Sequence, residues 1–408
     1  MLSANAKPYI DASVPVLREH GLAITTVFYK NMLTAHPELN NLFNLGNQAN
    51  GSQQKSLASA VFAYAANIEN AAALAPVIER IVHKHASIGI KPSHYPIVGR
   101  YLLGAIKEIL GDAATPDLIA AWDEAYWLLA GELIAAEARL YQTAGFEADS
   151  WMKLMVVDKV RQGADIVSFT LQTADHQALP NFKPGQYVSI ATYLDDIQLR
   201  QLRQYSLSDA PGKNSLRISV KCEKGDEFKP EGKVSNWLHE HAHIGDILDV
   251  SHPYGNFTPD ILASHPIGLI SAGVGVTPMI SMLNSLAEEN PNRPVLFAHA
   301  ARSKQHLSHG QDVNLAKVAM PHLNHALYLN ECHEKEEGVT IGKMNLSELL
   351  TPASQANLFK AESSEAEFYI CGPQAFMDDQ WKTLLELGIS PTRIHREVFG
   401  PESLSHLI

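Results

Sequence analysis

The spacing of apolar residues changes twice along this chain, and each spacing favours a different kind of fold. Up to about residue 140 apolar residues recur every three or four positions, which is the period of an amphipathic α-helix. From Trp151 short β-rich runs follow, for example at 155–157 and 166–171, with Gly and Pro between them. From Pro266 strand-like runs alternate with helical ones, which favours an open, mostly parallel α/β sheet. The sequence therefore predicts an all-α domain, then an antiparallel β-barrel or sandwich, then an α/β domain.

The same pattern predicts where these domains and their helices begin and end. Domains are expected at 1–140, 150–262 and 265–408, with a small, polar linker at 142–150. Thr115 is expected to cap the last helix of the first domain. Ser235 is expected to cap a helix that starts at Asn236. Helices are predicted over 22–33, 53–68, 75–88, 95–110 and 116–141, and later from about 277 and over 376–387.

Composition excludes several classes of protein. Lys plus Arg number 32 and Asp plus Glu 44, which gives a formal charge of −12 and argues against a nucleic-acid binder. The three cysteines Cys222, Cys332 and Cys371 predict no disulfide framework and a reducing compartment. No uncharged apolar run reaches the roughly 18 residues that a membrane-spanning helix needs. We therefore expect a soluble, cytoplasmic protein without a membrane span.

Three polar side chains occupy positions in apolar helical stripes. His85 belongs to such a stripe, whereas Ser87 falls on the polar side of the same helix. Gln53 heads the apolar face of the preceding helix, and Tyr29 stands in the middle of an earlier one. One inward histidine is usually an ordinary core residue, but three buried polar groups need partners. A haem explains all three, because His binds iron while a Tyr hydroxyl and a Gln amide face a bound gas.

Other motifs point to nucleotide cofactors. The segment at 203–206 offers an Arg for a pyrophosphate, a Tyr to pack on a flavin and a Ser hydroxyl for a ring nitrogen. The segment at 232–235 precedes a predicted helix whose N-terminal amides suit a phosphate. The glycines at 273–278 follow a strand and permit close approach to a pyrophosphate. A second strand of the predicted α/β domain ends at the Cys-Gly-Pro segment 371–373. The last motif of the chain lies at 397–401.

These motifs together resemble one family. The segment at 36–44, Gln53 and the Lys-His-Ala-Ser sequence at 84–87 resemble the globin domain of bacterial and fungal flavohaemoglobins. The later motifs, in their order, resemble the ferredoxin–NADP reductase superfamily, so the resemblance extends over essentially all 408 residues. It implies a globin domain, then an antiparallel β-barrel flavin domain, then an α/β nucleotide-binding domain. The cofactors it implies are haem b, FAD and NAD(P)H.

The resemblance also implies roles for individual residues. His85 would be the metal ligand on the proximal side, with Tyr95 and Glu137 bonded around it. Tyr29 and Gln53 would form the distal pair, and Phe43 and Leu57 would pack on the haem faces. FAD would be held by Tyr187, Arg203, Gln204, Tyr205, Ser206, Gly232, Val234 and Ser235. The segment Glu397, Val398, Phe399, Gly400 and Pro401 would lie at the flavin, with Glu397 and Phe399 at its ring. NAD(P)H would be held by Gly273, Val274, Gly275, Val276, Thr277, Pro278, Cys371, Gly372 and Pro373.

The activity implied is that of a nitric oxide dioxygenase, which protects against nitrosative stress. Hydride passes from NAD(P)H to FAD, single electrons pass to haem iron, and NO and O₂ become nitrate. Two alternatives remain: a haem-based peroxide or alkyl hydroperoxide reductase, and an oxygen carrier or gas sensor that reduces its own iron. NADH and NADPH also remain open, because Arg302 and Ser303 could serve a 2′-phosphate and no clear acidic ribose ligand is nearby. A monomer is expected, and a lipid or an azole is a further ligand to test in the distal pocket.

Overall fold

The structure is a computed structural model that describes residues 2–175, 177–225, 230–331, 338–350, 359 and 365–401. The chain divides into two compact units. The helical unit contains Met1–Trp151 and Ala191–Arg203, together with the chain from Gly400. The sheet unit contains Met152–Ile190 and Gln204–Phe399. Cys332 lies outside the described residues.

The helical unit is built around one apolar core. Phe28, Met32, Ile106 and Trp122 are almost fully buried there. Among the residues described, no helix of this or the other unit is both long enough and apolar enough to span a membrane. The helices of the helical unit are α1 (Lys7–Ala35), α2 (Leu45–Ala49), α3 (Ser52–Ala66), α4 (Ala71–Ile88), α5 (His94–Leu110) and α6 (Pro116–Ala144).

Two details of the predicted helices are wrong and one is confirmed. Helix α1 begins at Lys7 rather than near residue 22, because the buried stripe that includes Ile10 and Leu17 continues straight through Pro15. Ser87 was expected on a polar face but is fully buried. Its hydroxyl is satisfied inside the helix, since it donates to the Lys84 carbonyl at 2.8 Å. The Thr115 cap is confirmed by the Leu118 amide, which donates to its hydroxyl at 3.2 Å.

The first sheet closes on itself. Its strand order is β4-β3-β6-β1-β2-β5, and β1 pairs antiparallel with both β2 and β6. Leu207, one residue past β4, bridges Ile218 of β5, so the two end strands meet. The sheet is therefore a barrel. Its elements are β1 (Met152–Arg161), β2 (Ile166–Thr173), β3 (Tyr187–Leu194), β4 (Leu199–Ser206), β5 (Leu216–Lys221), α7 (Lys233–His241) and β6 (Ile247–Val250).

The second sheet is open and parallel, with helices on both faces, as predicted. Its strands are β7 (Ile267–Ala272), β8 (Val295–Ser303), β9 (Leu323–Glu331), β10 (Val339–Ile341), β11 (Glu367–Cys371) and β12 (Ile394–Glu397). Its helices are α8 (Val276–Glu289), α9 (Gly310–Ala319), α10 (Leu346–Leu349) and α11 (Gln374–Glu386). The order is β10-β9-β8-β7-β11-β12, and every described pairing is parallel. Met279 and Val313 bury α8 and α9 in one core, and Leu346 and Met377 bury α10 and α11 in the other.

The sheet unit buries histidines that resist protonation. His299 on β8 is buried, and its Nδ1 lies 2.9 Å from the Ser271 hydroxyl on β7. Burial lowers its pKa to about 4. His325 on β9 has a pKa lowered to about 4 by the same cause. The unfolded chain therefore binds more protons than the folded chain below pH 6.5.

We expect the sheet unit to lose stability as the pH falls from about 6.5 to about 4. In that window the unfolded histidines take up protons while the folded ones do not, so the contribution is fully present above pH 6.5 and is lost on acidification. For His299 alone the loss amounts to about 3 kcal/mol. Scanning calorimetry at a series of pH values measures it. His299→Asn should show a shallower dependence, and an unchanged slope in that variant would contradict the assignment.

Candidate functional site

His85 lies at the centre of a hydrogen-bonded cluster in the helical unit. Its Nδ1 lies 2.8 Å from Glu137 Oε1 on α6 and 3.1 Å from the Tyr95 hydroxyl on α5. The Tyr95 hydroxyl donates to the same Glu137 oxygen at 2.6 Å. Because a carboxylate accepts the Nδ1 proton, the ring is held in one tautomer and Nε2 is the nitrogen that can bind a metal.

The members of this cluster differ in burial. Glu137 is 2 % exposed, whereas 31 % of the His85 side chain is exposed, so the predicted inward histidine is half-buried. Burial, and then the Glu137 carboxylate, raise the pKa of Tyr95 well above its usual range. The Tyr95 hydroxyl therefore stays protonated and remains a donor.

Sequence reasoning missed a fourth residue of this cluster. The Tyr126 hydroxyl on α6 donates to the Tyr95 carbonyl at 2.5 Å and so supports the start of α5. Its signal in the sequence is indirect. Gly99 lies inside α5, and a Cβ at that position would stand 2.5 Å from the Tyr126 ring. A glycine in a helix interior weakens the helix, so its presence there indicates a close neighbour.

The second predicted pair meets elsewhere in the helical unit. Tyr29 on α1 is buried, and the half-buried Gln53 on α3 lies close enough to its side chain to influence its pKa. Burial raises the pKa of Tyr29 well above its usual range, although Gln53 partly offsets this. The phenol is therefore protonated. The Phe43 ring lies 5.6 Å from the Tyr29 ring, edge to face, and Leu57 packs on the same core.

Four of the predicted flavin residues, those of the segment at 203–206, lie at the end of β4. Gln204 is exposed, Ser206 is buried, and Arg203 and Tyr205 are half-buried. Arg203 Nη1 donates to the neighbouring Leu202 carbonyl at 2.6 Å. A strand end that presents a guanidinium, a phenol ring and a hydroxyl offers the group types that a flavin nucleotide needs.

Tyr187, at the start of β3, is fixed through its backbone. Its amide donates to the Tyr254 carbonyl at 2.8 Å and its carbonyl accepts from the Tyr254 amide at 2.9 Å. Gly255 follows in a left-handed conformation, with a φ of 115°. A Cβ at Gly255 would stand 3.0 Å from the Tyr187 ring, so glycine is what lets the chain pass beside this ring.

The segment before α7 departs from the prediction. Helix α7 begins at Lys233 with Gly232 as its cap, so Ser235 lies within its first turn and is not the cap. The Ser235 hydroxyl donates to the Gly232 carbonyl at 2.8 Å. A Cβ at Gly232 would stand 2.6 Å from that hydroxyl and 2.8 Å from Glu223 Cβ. Gly232 is therefore required for this tight start, and Val234 beside it is fully buried.

The two predicted nicotinamide motifs meet at one edge of the parallel sheet. Chain order runs outward from β7 to β10 and then returns to β11 on the other side of β7, so the carboxyl ends of β7 and β11 flank the switch in strand order. Gly275 follows β7, and a Cβ on it would stand 2.3 Å from the Cys371 carbonyl and 2.7 Å from the Gly372 amide. Gly273 has a φ of 55° and open space around it. The turn at 273–278 and the segment at 371–373 therefore lie together at the switch in strand order, where open α/β sheets have the crevice that binds a dinucleotide.

Glu397 adjoins this crevice. It ends β12 in register with Cys371, and it is 9 % exposed. Burial, and then the charge of Glu397, raise the pKa of the Cys371 thiol well above its usual range, so the thiol stays protonated and weakly reactive. Val398 is buried and Phe399 is 46 % exposed, while Gly400 follows with a φ of 115°.

Comparison with known proteins covers all three regions. Family profiles match a globin over 26–133, an oxidoreductase FAD-binding domain over 153–258 and an oxidoreductase NAD-binding domain over 269–382. A protein named flavohemoprotein from Rhizobium meliloti is 44% identical and covers 98% of this chain and 99% of its own length. This chain belongs to the flavohemoprotein family.

Solved structures agree with the membership in the flavohemoprotein family. A flavohemoglobin from Malassezia yamatoensis, solved with bound FAD and haem, is 32% identical, with a TM-score of 0.85, and covers 98% of this chain and 100% of its own. The FAD/NAD-binding domain of a nitric oxide dioxygenase from Vibrio cholerae is 34% identical, with a TM-score of 0.55, over 61% of this chain and 99% of its own. The flavohemoprotein is thus an oxidoreductase with a globin domain and a ferredoxin–NADP reductase-like pair of domains.

Proposed function

We propose that this flavohemoprotein is an NAD(P)H-dependent nitric oxide dioxygenase that converts NO and O₂ to nitrate. The observation that carries the proposal is the cluster of His85, Glu137 and Tyr95 in a chain that also has a dinucleotide crevice. The neighbour named nitric oxide dioxygenase supports the choice of substrate. When bound, FAD takes up a hydride and releases electrons singly, and haem iron takes them one at a time and binds diatomic gases.

The proximal residues would hold the iron and set its electron density. Nε2 of His85 is the ligand, because Nδ1 is held by Glu137 at 2.8 Å. A carboxylate that accepts the Nδ1 proton gives the imidazole partial imidazolate character, which raises its basicity as a ligand. Tyr95 donates to the same carboxylate at 2.6 Å and so fixes its orientation.

The distal residues would hold the gas. Tyr29 keeps its proton because burial raises its pKa, so its hydroxyl can donate to a partly negative oxygen. Gln53, which lies close to Tyr29, would supply the second polar group on this side. Phe43 and Leu57 supply apolar surface that keeps water away.

The reductase residues would bind the two nucleotides. Arg203 is assigned to the FAD pyrophosphate, and Tyr205 and Ser206 to the flavin ring, together with Tyr187, Gln204 and the turn at 232–235. Gly275 lets the turn after β7 pack directly on the end of β11, because any Cβ there would meet Cys371, and the crevice at this point is assigned to NAD(P)H. Glu397, at the end of β12, and Phe399, two residues later, are assigned to the flavin ring.

Absorption spectroscopy of the purified protein, before and after anaerobic addition of NADH, tests this function. We expect haem and flavin bands together, bleaching of the flavin band and reduction of the haem. An NO electrode should then show NO consumption that requires O₂ and NADH, with nitrate as the product. Each NADH should yield two nitrate ions, because nitrate formation from NO and O₂ takes one electron. Flavin without haem, or faster turnover with hydroperoxide than with NO, would contradict the proposal.

Tyr29→Phe should release O₂ faster while it retains haem. The variant removes one hydroxyl donor from a buried site, and such a bond contributes enough to raise the dissociation rate roughly tenfold to a hundredfold. Laser photolysis or stopped-flow displacement by CO measures the rate. Tyr64→Phe is the matched control, because this half-buried hydroxyl donates instead to the Ala125 carbonyl at 3.1 Å. If Tyr29→Phe released O₂ at an unchanged rate, the Tyr29 hydroxyl would not be the donor to the bound gas.

A further inference from the structure

A buried ionic network links the barrel to the nucleotide-binding sheet within the sheet unit. Arg217 on β5 donates through Nη2 to Asp312 Oδ1 on α9 at 2.8 Å. Its Nε also donates to the Ser208 carbonyl at 3.1 Å. The Arg217 and Asp312 side chains are only 17 % and 12 % exposed. A largely desolvated pair of this kind is screened far less than a surface pair.

An amide side chain joins a second carboxylate to the network. Asn284 Nδ2 on α8 donates to Asp209 Oδ1 and to Asp312 Oδ1, each at 2.9 Å. Ser281, one turn earlier on α8, donates to the Asp209 carbonyl at 2.7 Å. Lys213 supplies a further cation to Asp209 at 2.7 Å. The negative charges of Asp209 and Asp312 are therefore balanced by cations of the barrel, and both carboxylates are also hydrogen-bonded to α8.

Asp312 is fixed from a third direction. His309 Nδ1 lies 3.0 Å from Asp312 Oδ2, and the His309 side chain is fully buried. The backbone of His309 is left-handed, with a φ of 59°, a conformation that a non-glycine residue keeps only where its surroundings hold it. Burial alone would raise the pKa of Asp312, but His309, Arg217 and Asn284 together hold it well below its usual range. Asp312 is therefore ionised throughout the physiological range.

The network connects the two elements that carry the cofactor motifs. Asp209 lies three positions after Ser206, which ends the flavin motif on β4. Helix α8 begins at Val276, directly after the turn at 273–275 that opens the dinucleotide crevice. A tie between Asp209 and α8 thus fixes the flavin motif against the nicotinamide motif. Hydride transfer needs this, because its rate depends on a donor–acceptor approach of roughly 3–3.5 Å.

We propose that Asp312 is a positioning residue for hydride transfer. Together with Arg217 and Asn284, it holds α8, which follows the turn at 273–275, at a fixed distance from the flavin motif on β4. The proposal rests on the proposed function, since it takes FAD and NAD(P)H to bind at the two motifs. In the step concerned, one proton and two electrons leave the dihydronicotinamide, which is oxidised, and reach the flavin, which is reduced. Asp312 touches neither cofactor motif and acts through its two partners.

Single-turnover reduction of the FAD-loaded, full-length protein by saturating NADH tests the proposal. Asp312→Asn keeps the shape of the side chain and removes its charge. We expect the rate of flavin bleaching to fall about a hundredfold. At a temperature well below the melting temperature of the variant, its FAD content and its dissociation constant for NADH should equal those of the unmodified protein. Asp312→Glu, which restores the charge with a longer side chain, should recover part of the rate.

Three further measurements separate positioning from simple stabilisation. The kinetic isotope effect with NADH deuterated at the transferred position should rise in Asp312→Asn, because a longer approach limits the transfer itself. Combining Asp312→Asn with Arg217→Met should slow the reaction little beyond the slower single variant, since both remove the same contact. Glu386→Gln is the matched control. It removes an exposed carboxylate that pairs with Lys382 at 3.7 Å on α11, and it should leave rate and isotope effect unchanged.

The contrary outcomes are distinct. A lower melting temperature with an unchanged bleaching rate and isotope effect would overturn the positioning role and leave only a structural one. If Asp312→Asn loses FAD, Asn284→Ala is tested in the same way, because it removes both amide hydrogen bonds from α8 and leaves the carboxylates of Asp209 and Asp312 in place. An unchanged rate in that variant would overturn the proposal equally. If the unmodified protein's flavin is not reduced by NADH at all, the proposed function fails instead.

Discussion

His85→Ala should yield a protein that contains flavin but almost no haem. The substitution removes the imidazole that lies within hydrogen-bonding distance of Glu137 and Tyr95, and with it the assigned iron ligand. We expect NO consumption to fall to the level of the uncatalysed reaction, while NADH still bleaches the flavin. The ratio of the haem absorption band to the flavin band, read on the purified protein, measures the effect.

His83→Ala is the matched control for that experiment. His83 is half-buried and lies on the same helix, two positions before His85, so its side chain points to a different side of α4. It should retain haem and NO consumption. Addition of free imidazole to His85→Ala should restore part of the haem binding, because it supplies the missing ligand. Normal haem content in His85→Ala would show that the iron has another ligand.

Gly275→Ala should slow reduction of the flavin by NADH about a hundredfold without loss of FAD. Its Cβ would stand 2.3 Å from the Cys371 carbonyl and 2.7 Å from the Gly372 amide, and both neighbours are backbone. Backbone atoms cannot change rotamer to relieve the clash, so the segment after β7 must move away from the end of β11. A displacement of about 1 Å at such a site can cost a hundredfold in rate. Stopped-flow bleaching of the flavin band measures the loss.

Gly310→Ala provides the control for the glycine experiment. Gly310 opens α9 in the same unit, and a Cβ there meets nothing within 4 Å. It should therefore leave the bleaching rate unchanged. If Gly275→Ala were reduced as fast as the unmodified protein, the crevice between β7 and β11 would not be the dinucleotide site.

The sequence predicted the parts of this protein that depend on local pattern. The helical period placed His85, Tyr29 and Gln53 toward the interior, and the structure brings the last two close together. The alternation of strands and helices predicted the parallel sheet. The predicted cap at Ser235 was wrong because backbone geometry decided where the helix begins: Gly232 is extended, with a ψ of 95°, and the helix starts right after it.

Other features had no local signal. Asp209, Arg217, Asn284 and Asp312 are spread over about a hundred positions of the chain, and each stands in a sequence that reads as an ordinary strand, turn or helix. Only the meeting of β5 with α8 and α9 makes them a network. Tyr126 was missed for a similar reason, because its partner is a backbone carbonyl whose position no side-chain pattern reveals.

The closing of the barrel has a consequence for how this protein behaves in a crowded solution. An open β-sheet exposes unpaired amides and carbonyls at its edges, and these can recruit strands of other chains into aggregates. Here the bridge between Leu207 and Ile218 joins the two ends of the barrel, which shortens the free edges of that sheet among its described strands. The outer strands of the parallel sheet, β10 and β12, have only three and four residues. We therefore expect the folded chain to stay dispersed at high concentration, so that a cell can accumulate it under stress without precipitating it.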